Sequence, residues 1–277
     1  MYPIPTGLEP ILVSLSSVRT VLFDIYGTLL ISASGDLEAA GQANQEQAFQ
    51  QAADAAGLRP RRPLGDALHA EVRRRHEAAR AAGVDVPEVD IREVWRALAP
   101  GLFEGTVSAA TLATLALEYE CRVNPVWRMP GFPDVLDLLR PRFELGVVSN
   151  AQFYTRLVLE ALAGRSLEAL GLEESRCAWS FREGVAKPSP RLLGRLLERL
   201  QVDPATVLVV GNDLAKDVQP ARELGCRTAL FAGDLRSLRA APAALLEPRR
   251  RPDVILSQLD QLVSVLGDAR VPGSVRT

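Results

Sequence analysis

The sequence predicts an α/β fold, a doubly wound parallel sheet interrupted after its first strand by a block of helices. Three observations support this. Five short runs rich in apolar, β-branched residues end in turn residues: TVLFDIYG (20–27), ELGVVSN (144–150), TVLVVGND (206–213), RTALFAGD (227–234) and DVILSQ (253–258). Near-continuous apolarity is expected of strands covered by helices on both faces, the usual state of a parallel sheet. Helical patterns separate the later runs, whereas from about residue 36 to 125 helical patterns follow one another with no strand between them.

In chain order, the run at 20–27 opens the sheet. EAAGQANQEQAFQQAADAAG, GDALHAEVRRRHEAARAAG, DIREVWRALAP and SAATLATLALEYEC are the helical segments of the interruption, and Asp90 and Glu93 stand at capping-box spacing at the start of the third. PDVLDLLRPR begins a helix with proline and aspartate in its first turn, and AQFYTRLVLEALA follows the second strand. SPRLLGRLLERLQ carries leucines at helical spacing, and DVQPARELGC stops at Gly225 before the fourth strand. Alternating units of this length close through right-handed crossovers. The expected organisation is an α/β core of residues 1–35 and 126–277 with a helical domain of residues 36–125. The helical domain would sit over the carboxyl ends of the strands, where open sheets of this kind bind ligands.

Composition excludes several classes. The chain of 277 residues is 47% hydrophobic and 24% charged, with a formal charge of −2, as in an ordinary globular protein. Nucleic acids and acidic membranes require a concentrated positive field, so neither is an expected partner. RPRRP (59–63), RRR (73–75) and PRRRP (248–252) are short and read as solvated faces. Cys121, Cys177 and Cys226 have the spacing of neither a disulfide framework nor a zinc site and read as reduced thiols. His69 and His76 lie too far apart on a helix to share a metal and read as exposed polar positions. No apolar run reaches the ~18 residues of a membrane span, and the N-terminal segment lacks the marks of a signal peptide, so a cytoplasmic location is expected. All but Lys187 and Lys216 of the 32 basic residues are arginine. An ammonium and a guanidinium are not interchangeable at a tight site, which marks both lysines as candidates for a specific demand.

Polar groups close several strands: Asp24 with Thr28, Ser149 with Asn150, and Asn212 and Asp213 with Asp217, while Lys187 stands in the loop GVAKPSP before a helix. Strand ends of a parallel sheet converge on one edge, so these groups can share a site. FDIYGTL, VVSNA, VAKPSPR and VGNDLAKDVQPA, in that order and on those elements, resemble the four motifs of the haloacid dehalogenase-like (HAD) hydrolase superfamily. The helical interruption resembles that family's C1 cap, and the likeness spans roughly residues 18 to 256.

The resemblance implies a Rossmann-like core and a hydrolase that works through an aspartyl intermediate. Asp24 would be the nucleophile. Thr28, Ser149, Asn150 and Lys187 would bind the anionic part of a small-molecule substrate, with Lys187 also neutralising Asp24. Mg²⁺ would be held by Asp24, the carbonyl of Tyr26, and the cluster Asn212, Asp213 and Asp217, with the direct ligand among Asn212 and Asp213 left open.

Tyr26 stands where the family's phosphatases carry a second aspartate, which protonates the leaving alkoxide and later activates water. Halide needs no proton, and a tyrosine here is similar to the metal-free dehalogenase branch. The fourth motif points the other way, because extra carboxylates beside a nucleophile and an anionic substrate repel both. Leu193 also replaces a tyrosine of the dehalogenase pattern. The expected function is therefore a Mg²⁺-dependent phosphatase on a small phosphorylated metabolite. The alternatives are a metal-independent 2-haloacid dehalogenase and a weakly active HAD-fold binding protein. For a phosphatase the missing acid would come from Glu88 or Asp90, if the cap closes them over Asp24, or from metal-bound water. Gln152, Phe153 and Tyr154 are candidates for the pocket wall or for core packing.

Overall fold

The structure, a computed structural model, describes residues 1–32, 42–241, 245, 247–248 and 250–267. The chain opens with β1 (Thr20–Phe23) and a short β2 (Leu30–Ser32). Four helices follow: α1 (Gln42–Ala55), α2 (Ala67–Ala81), α3 (Ile91–Leu102) and α4 (Ala109–Val123). The strand β3 (Val126–Arg128) pairs antiparallel with β2, so the four helices leave and rejoin the rest of the chain through one two-stranded ribbon. Then come α5 (Asp134–Leu139), β4 (Glu144–Ser149), α6 (Phe153–Ala163), β5 (Leu172–Trp179), α7 (Ser180–Glu183) and α8 (Pro190–Leu200). The chain continues through β6 (Val207–Gly211), a π-helical turn over Leu214–Val218, α9 (Gln219–Glu223), β7 (Arg227–Phe231), β8 (Val254–Leu256) and α10 (Gln261–Leu266).

Six strands form one parallel sheet in the order β5-β4-β1-β6-β7-β8. All four residues of β1 are buried, as a central strand covered on both faces requires. From β1 the chain builds outward through β4 and β5, then returns to the other side of β1 with β6. The crevice at the carboxyl ends of β1, β4 and β6 is therefore the topological switch point, where ligands bind in this architecture.

All five anticipated strands form; the short ribbon of β2 and β3 was not anticipated, and neither was β5. Its segment, LEESRCAW, has a charged outer half, which reads as a turn or surface helix. At the edge of the sheet those charges face water, a common way of blunting an unpaired edge. The capping box anticipated at Asp90 forms only in part. Asp90 accepts the Arg92 amide at 2.9 Å, but Glu93 turns to Arg96 instead of reaching back.

The inserted helices have an apolar cluster of their own around Phe49, Trp95, Leu115 and Tyr119, with the Phe49 and Trp95 rings stacked at 6.0 Å. Tyr154 of α6 is the one fully buried member from outside the insert, so insert and sheet share a seam at the start of α6. Residues 36–41, which hold the expected boundary and the first residues of its first helix, lie outside the described residues. Among the described residues, no helix is long and apolar enough to cross a membrane. The basic clusters are largely paired: Arg61 with Glu104, Arg73 with Asp66, Arg74 and Arg75 with Glu71, and Arg250 with Glu247. His76 departs from its expected exposure, because its Nε2 is buried with no partner among the described residues.

Candidate active site

Asp24 follows β1 directly, its amide donating to the carbonyl of Val210 on the neighbouring β6 at 2.8 Å, which fixes it at the carboxyl edge of the sheet. The turn after it is tight: the carbonyl of Ile25 takes the amides of Thr28, Leu29 and Leu30. Gly27 has φ +86°, and a Cβ there would lie 2.5 Å from the Asn212 amide nitrogen, so only glycine lets the first and fourth motifs meet.

The centre of the site is a buried group of three charges. The Lys187 ammonium donates to Asp24 Oδ1 at 2.7 Å, Asp217 Oδ1 at 2.6 Å and the Val148 carbonyl at 3.1 Å, which uses all three of its protons. Ser149 donates to the same Asp24 oxygen at 2.8 Å. Both side-chain bonds to Asp24 fall on Oδ1, and among the described residues none falls on Oδ2. Asp217 reaches this position because Gly211 leaves room, since a Cβ on Gly211 would sit 2.2 Å from the Asp217 carboxyl carbon.

Electrostatics follow from that packing. Burial alone would depress the Lys187 ammonium, but the charges of Asp217 and Asp24 outweigh it and hold the group protonated above its ordinary range. Burial pushes the Asp217 carboxyl up to about 6, against the pull of Lys187. The loss of a lysine's ordinary freedom is imposed by Asn150, whose side chain clamps the Lys187 backbone from both sides. Its Nδ2 donates to the Lys187 carbonyl at 3.0 Å, and its Oδ1 accepts the Lys187 amide at 2.7 Å.

The fourth motif divides its oxygens. Asn212 accepts from Thr28 Oγ1 at 3.3 Å and donates to the carbonyl of Ser237 at 2.6 Å. An aspartate in its place would set a carboxylate against that carbonyl, so the amide is required by the 233–239 segment packed over it. Asp213 Oδ1 accepts the amides of Ala215 and Lys216 and caps the π-helical turn, and no hydrogen bond falls on its Oδ2 among the described residues. Asp217 Oδ2 accepts the Asp213 amide at 2.9 Å.

Expected among the metal ligands, Asn212 and Asp217 are thus engaged elsewhere. Expected as an anion-binding hydroxyl, Thr28 is spent on Asn212. The expected substrate contact Asn150 acts on Lys187 through its side chain. Asp24, Ser149 and Lys187 meet as the motifs anticipate.

Tyr26 lies at the insert side. Its hydroxyl is 3.0 Å from Thr155 Oγ1 on α6, and burial raises it well above the ordinary phenol range, with the charge of Glu120 adding. A cavity of about 550 Å³ opens over Asp24 and Lys187, walled on the insert side by Glu88, Glu120 and Asn124 and on the other by Gln152, Lys216 and Arg239. Both lysines of the chain therefore line one cavity.

Gln152 joins insert to sheet, accepting the Ile91 amide at 2.9 Å and donating to the Val89 carbonyl at 2.8 Å. Tyr154 reaches the cavity wall, donating to Glu120 at 2.9 Å, while Phe153 packs under Arg92. Glu120, Asn124 and Ser237 were not anticipated. They belong to no strand-end motif, and the signal at Glu120, a lone acid on the apolar face of a helix, is visible only once α4 is docked.

The comparisons with known proteins agree with this geometry. A family model described as haloacid dehalogenase-like hydrolase matches residues 18–225. A glyceraldehyde 3-phosphate phosphatase of Pyrococcus furiosus is 32% identical over 85 residues, 30% of this chain and 33% of the relative, so the match spans about a third of that protein. Solved structures that share the fold include two hydrolases. A 2-haloacid dehalogenase from Pseudomonas syringae pv. Tomato DC3000 has a TM-score of 0.58 at 21% identity, covering 90% of this chain and 98% of its own. A HAD phosphatase from Thermococcus onnurineus has a TM-score of 0.53 at 20% identity, covering 92% and 100%. With a family model across most of its length and a buried Asp24–Lys187 pair at the sheet's switch point, the chain belongs to the haloacid dehalogenase-like hydrolases.

Proposed function

We propose that the chain is a Mg²⁺-dependent phosphoric monoester hydrolase acting on a small phosphorylated metabolite, with Asp24 as nucleophile and the helices α1–α4 as its cap. The observation that carries this reading is the company of Asp24. Its one ammonium partner among the described residues, Lys187, is shared with the buried Asp217 at 2.6 Å, and Asp213 adds a third carboxylate on the same edge. A 2-haloacid brings its own carboxylate and would find Lys187 already compensated, leaving Lys216 and Arg239 of the cavity wall as the cations open to it. The oxygen surplus suits a divalent cation instead.

The donors fit such an ion. Among the described residues no three Asp, Glu, His or Cys side chains converge on one metal position. Mg²⁺ needs only one or two carboxylates, because water and phosphate oxygens complete its shell. Asp24, Asp213 and the carbonyl of Tyr26 are the groups we assign to hold it, and when bound it would neutralise charge between the carboxylates and the phosphoryl oxygens.

The chain's own residues do the rest. Lys187 and Ser149 hold Asp24 Oδ1, so Oδ2 is the oxygen that attacks phosphorus. The phosphatase relative supports the phosphoryl reading. Tyr26 favours the dehalogenase reading, since it occupies the position of the missing acid. Two assays separate them: hydrolysis of 4-nitrophenyl phosphate with and without Mg²⁺, and chloride release from 2-chloropropionate in EDTA. The expected result is Mg²⁺-dependent phosphate release, and metal-independent halide release without it overturns the proposal.

A further inference from the structure

A phosphatase lacking the second aspartate needs a proton source for the leaving alkoxide, and the cavity wall carries acids that could supply it. Tyr26 does not serve. Its hydroxyl is committed to Thr155, 3.0 Å away on α6. Asp217 is paired with Lys187, and Asp213 caps a helical turn. Asp90, the other candidate from sequence, caps α3 and pairs with Arg92 at 2.6 Å. Glu120 faces the cavity from the insert, where it accepts from Tyr154 and Asn124.

Glu88 differs from these in being bonded to the turns that carry Ser149 and Lys187. It stands in the connection between α2 and α3, lines the cavity with Asp24, and is tied to the catalytic turns on both sides. Ser180 Oγ donates to its Oε2 at 2.9 Å and accepts the amide of Ala151 at 2.9 Å, two residues past the serine that holds Asp24. The Glu88 amide donates to the Gly184 carbonyl at 3.2 Å, and the Ala186 amide to the Val86 carbonyl at 2.9 Å, on the segment that leads directly into Lys187. Its other donors are the Val89 amide at 2.9 Å and Gln152 Nε2 at 3.4 Å. All are neutral, and no cation is paired with it among the described residues.

Resting on the phosphatase reading, we propose that Glu88 is the catalytic acid and base that replaces the missing aspartate. As Asp24 Oδ2 forms its bond to phosphorus and the bond to the leaving oxygen breaks, the Glu88 carboxyl gives its proton to that oxygen and the alcohol departs. The Glu88 carboxylate then takes a proton from the water that attacks the aspartyl phosphate. This releases phosphate, frees Asp24 and restores the carboxyl. Burial without a cation holds the Glu88 carboxyl above its ordinary value, the direction this role requires.

The test compares two substrates of similar size on Glu88→Gln with Mg²⁺ present: benzyl phosphate, whose alkoxide needs a proton, and 4-nitrophenyl phosphate, whose phenolate does not. In the variant, benzyl phosphate turnover should fall on the order of 10²–10⁴-fold. 4-Nitrophenyl phosphate should still give a burst of nitrophenolate at the wild-type rate, followed by slow turnover. The selectivity between substrates is read within each preparation, so partial misfolding does not move it. Asp90→Asn should keep the wild-type ratio. An equal loss of the first step on both substrates, or no loss on either, overturns the role of Glu88 while the phosphatase reading stands. A wild type inactive on both substrates removes the phosphatase reading and this proposal with it.

Discussion

At the scale of single residues, the buried charges around Lys187 set the sharpest expectations. Replacing Lys187 by methionine leaves Asp24 and Asp217 buried without a counter-charge, which should abolish activity and destabilise the fold by about 3–5 kcal/mol. Without the ammonium, burial holds the Asp217 carboxyl still higher in the folded than in the unfolded chain. The cost at Asp217 is therefore greatest above its folded value and shrinks as pH falls toward the unfolded value of about 3.9. Urea unfolding across pH checks both size and slope. Asp213 separates a structural from a metal role within one side chain, because an asparagine keeps the Oδ1 cap of the π-helical turn and loses the charge. Saturating Mg²⁺ should raise wild-type stability by about 2.7 kcal/mol at a hundredfold excess over Kd. In Asp213→Asn that shift should largely vanish, with metal-free stability changed by no more than about 0.5 kcal/mol. Melting curves with and without Mg²⁺ test this with no substrate involved.

At the scale of elements, α4 meets α6 through a buried hydrogen bond from Tyr154 to Glu120. Burial raises the Glu120 carboxyl above its usual range, against the hydrogen bonds from Asn124 and Tyr154. A carboxyl raised on folding binds its proton more tightly in the native state. Its contribution is therefore most favourable below the unfolded value of about 4.3 and declines as pH rises through the folded value. Glu120→Gln should consequently flatten the decline above the unfolded value and leave the variant at least as stable as wild type at alkaline pH, as measured by thermal or urea unfolding. A second joint between elements is Gln152, which holds both Val89 and Ile91 to the start of α6. Helix positions here were largely visible in sequence, because a leucine stripe such as that of α8 needs only local periodicity. The edge strand β5 was not, since its polar half acquires meaning only from its place at the margin of the sheet.

At the scale of the whole molecule, the sheet and the insert have separate apolar clusters and meet through a seam that is largely polar. Amides of β1, β4 and β6 should exchange only through global unfolding, while those joining Val86 and Glu88 to 184–186 should open locally. Gln152→Ala should accelerate only the second class, a result that hydrogen exchange resolves by segment. The sequence by itself determined the parallel sheet, the interrupting helices and the meeting of Asp24, Ser149 and Lys187, because strand-end residues converge wherever such a sheet forms. Only the tertiary structure decided what each remaining polar group is bonded to. Asn212 is an asparagine because the Ser237 carbonyl, 25 positions later, faces its amide. Asp90 is a cap and Glu88 a cavity wall because the α2–α3 connection lies against 184–186. A side chain's role is fixed by the partner that satisfies it, and these partners come from segments that local pattern cannot bring together.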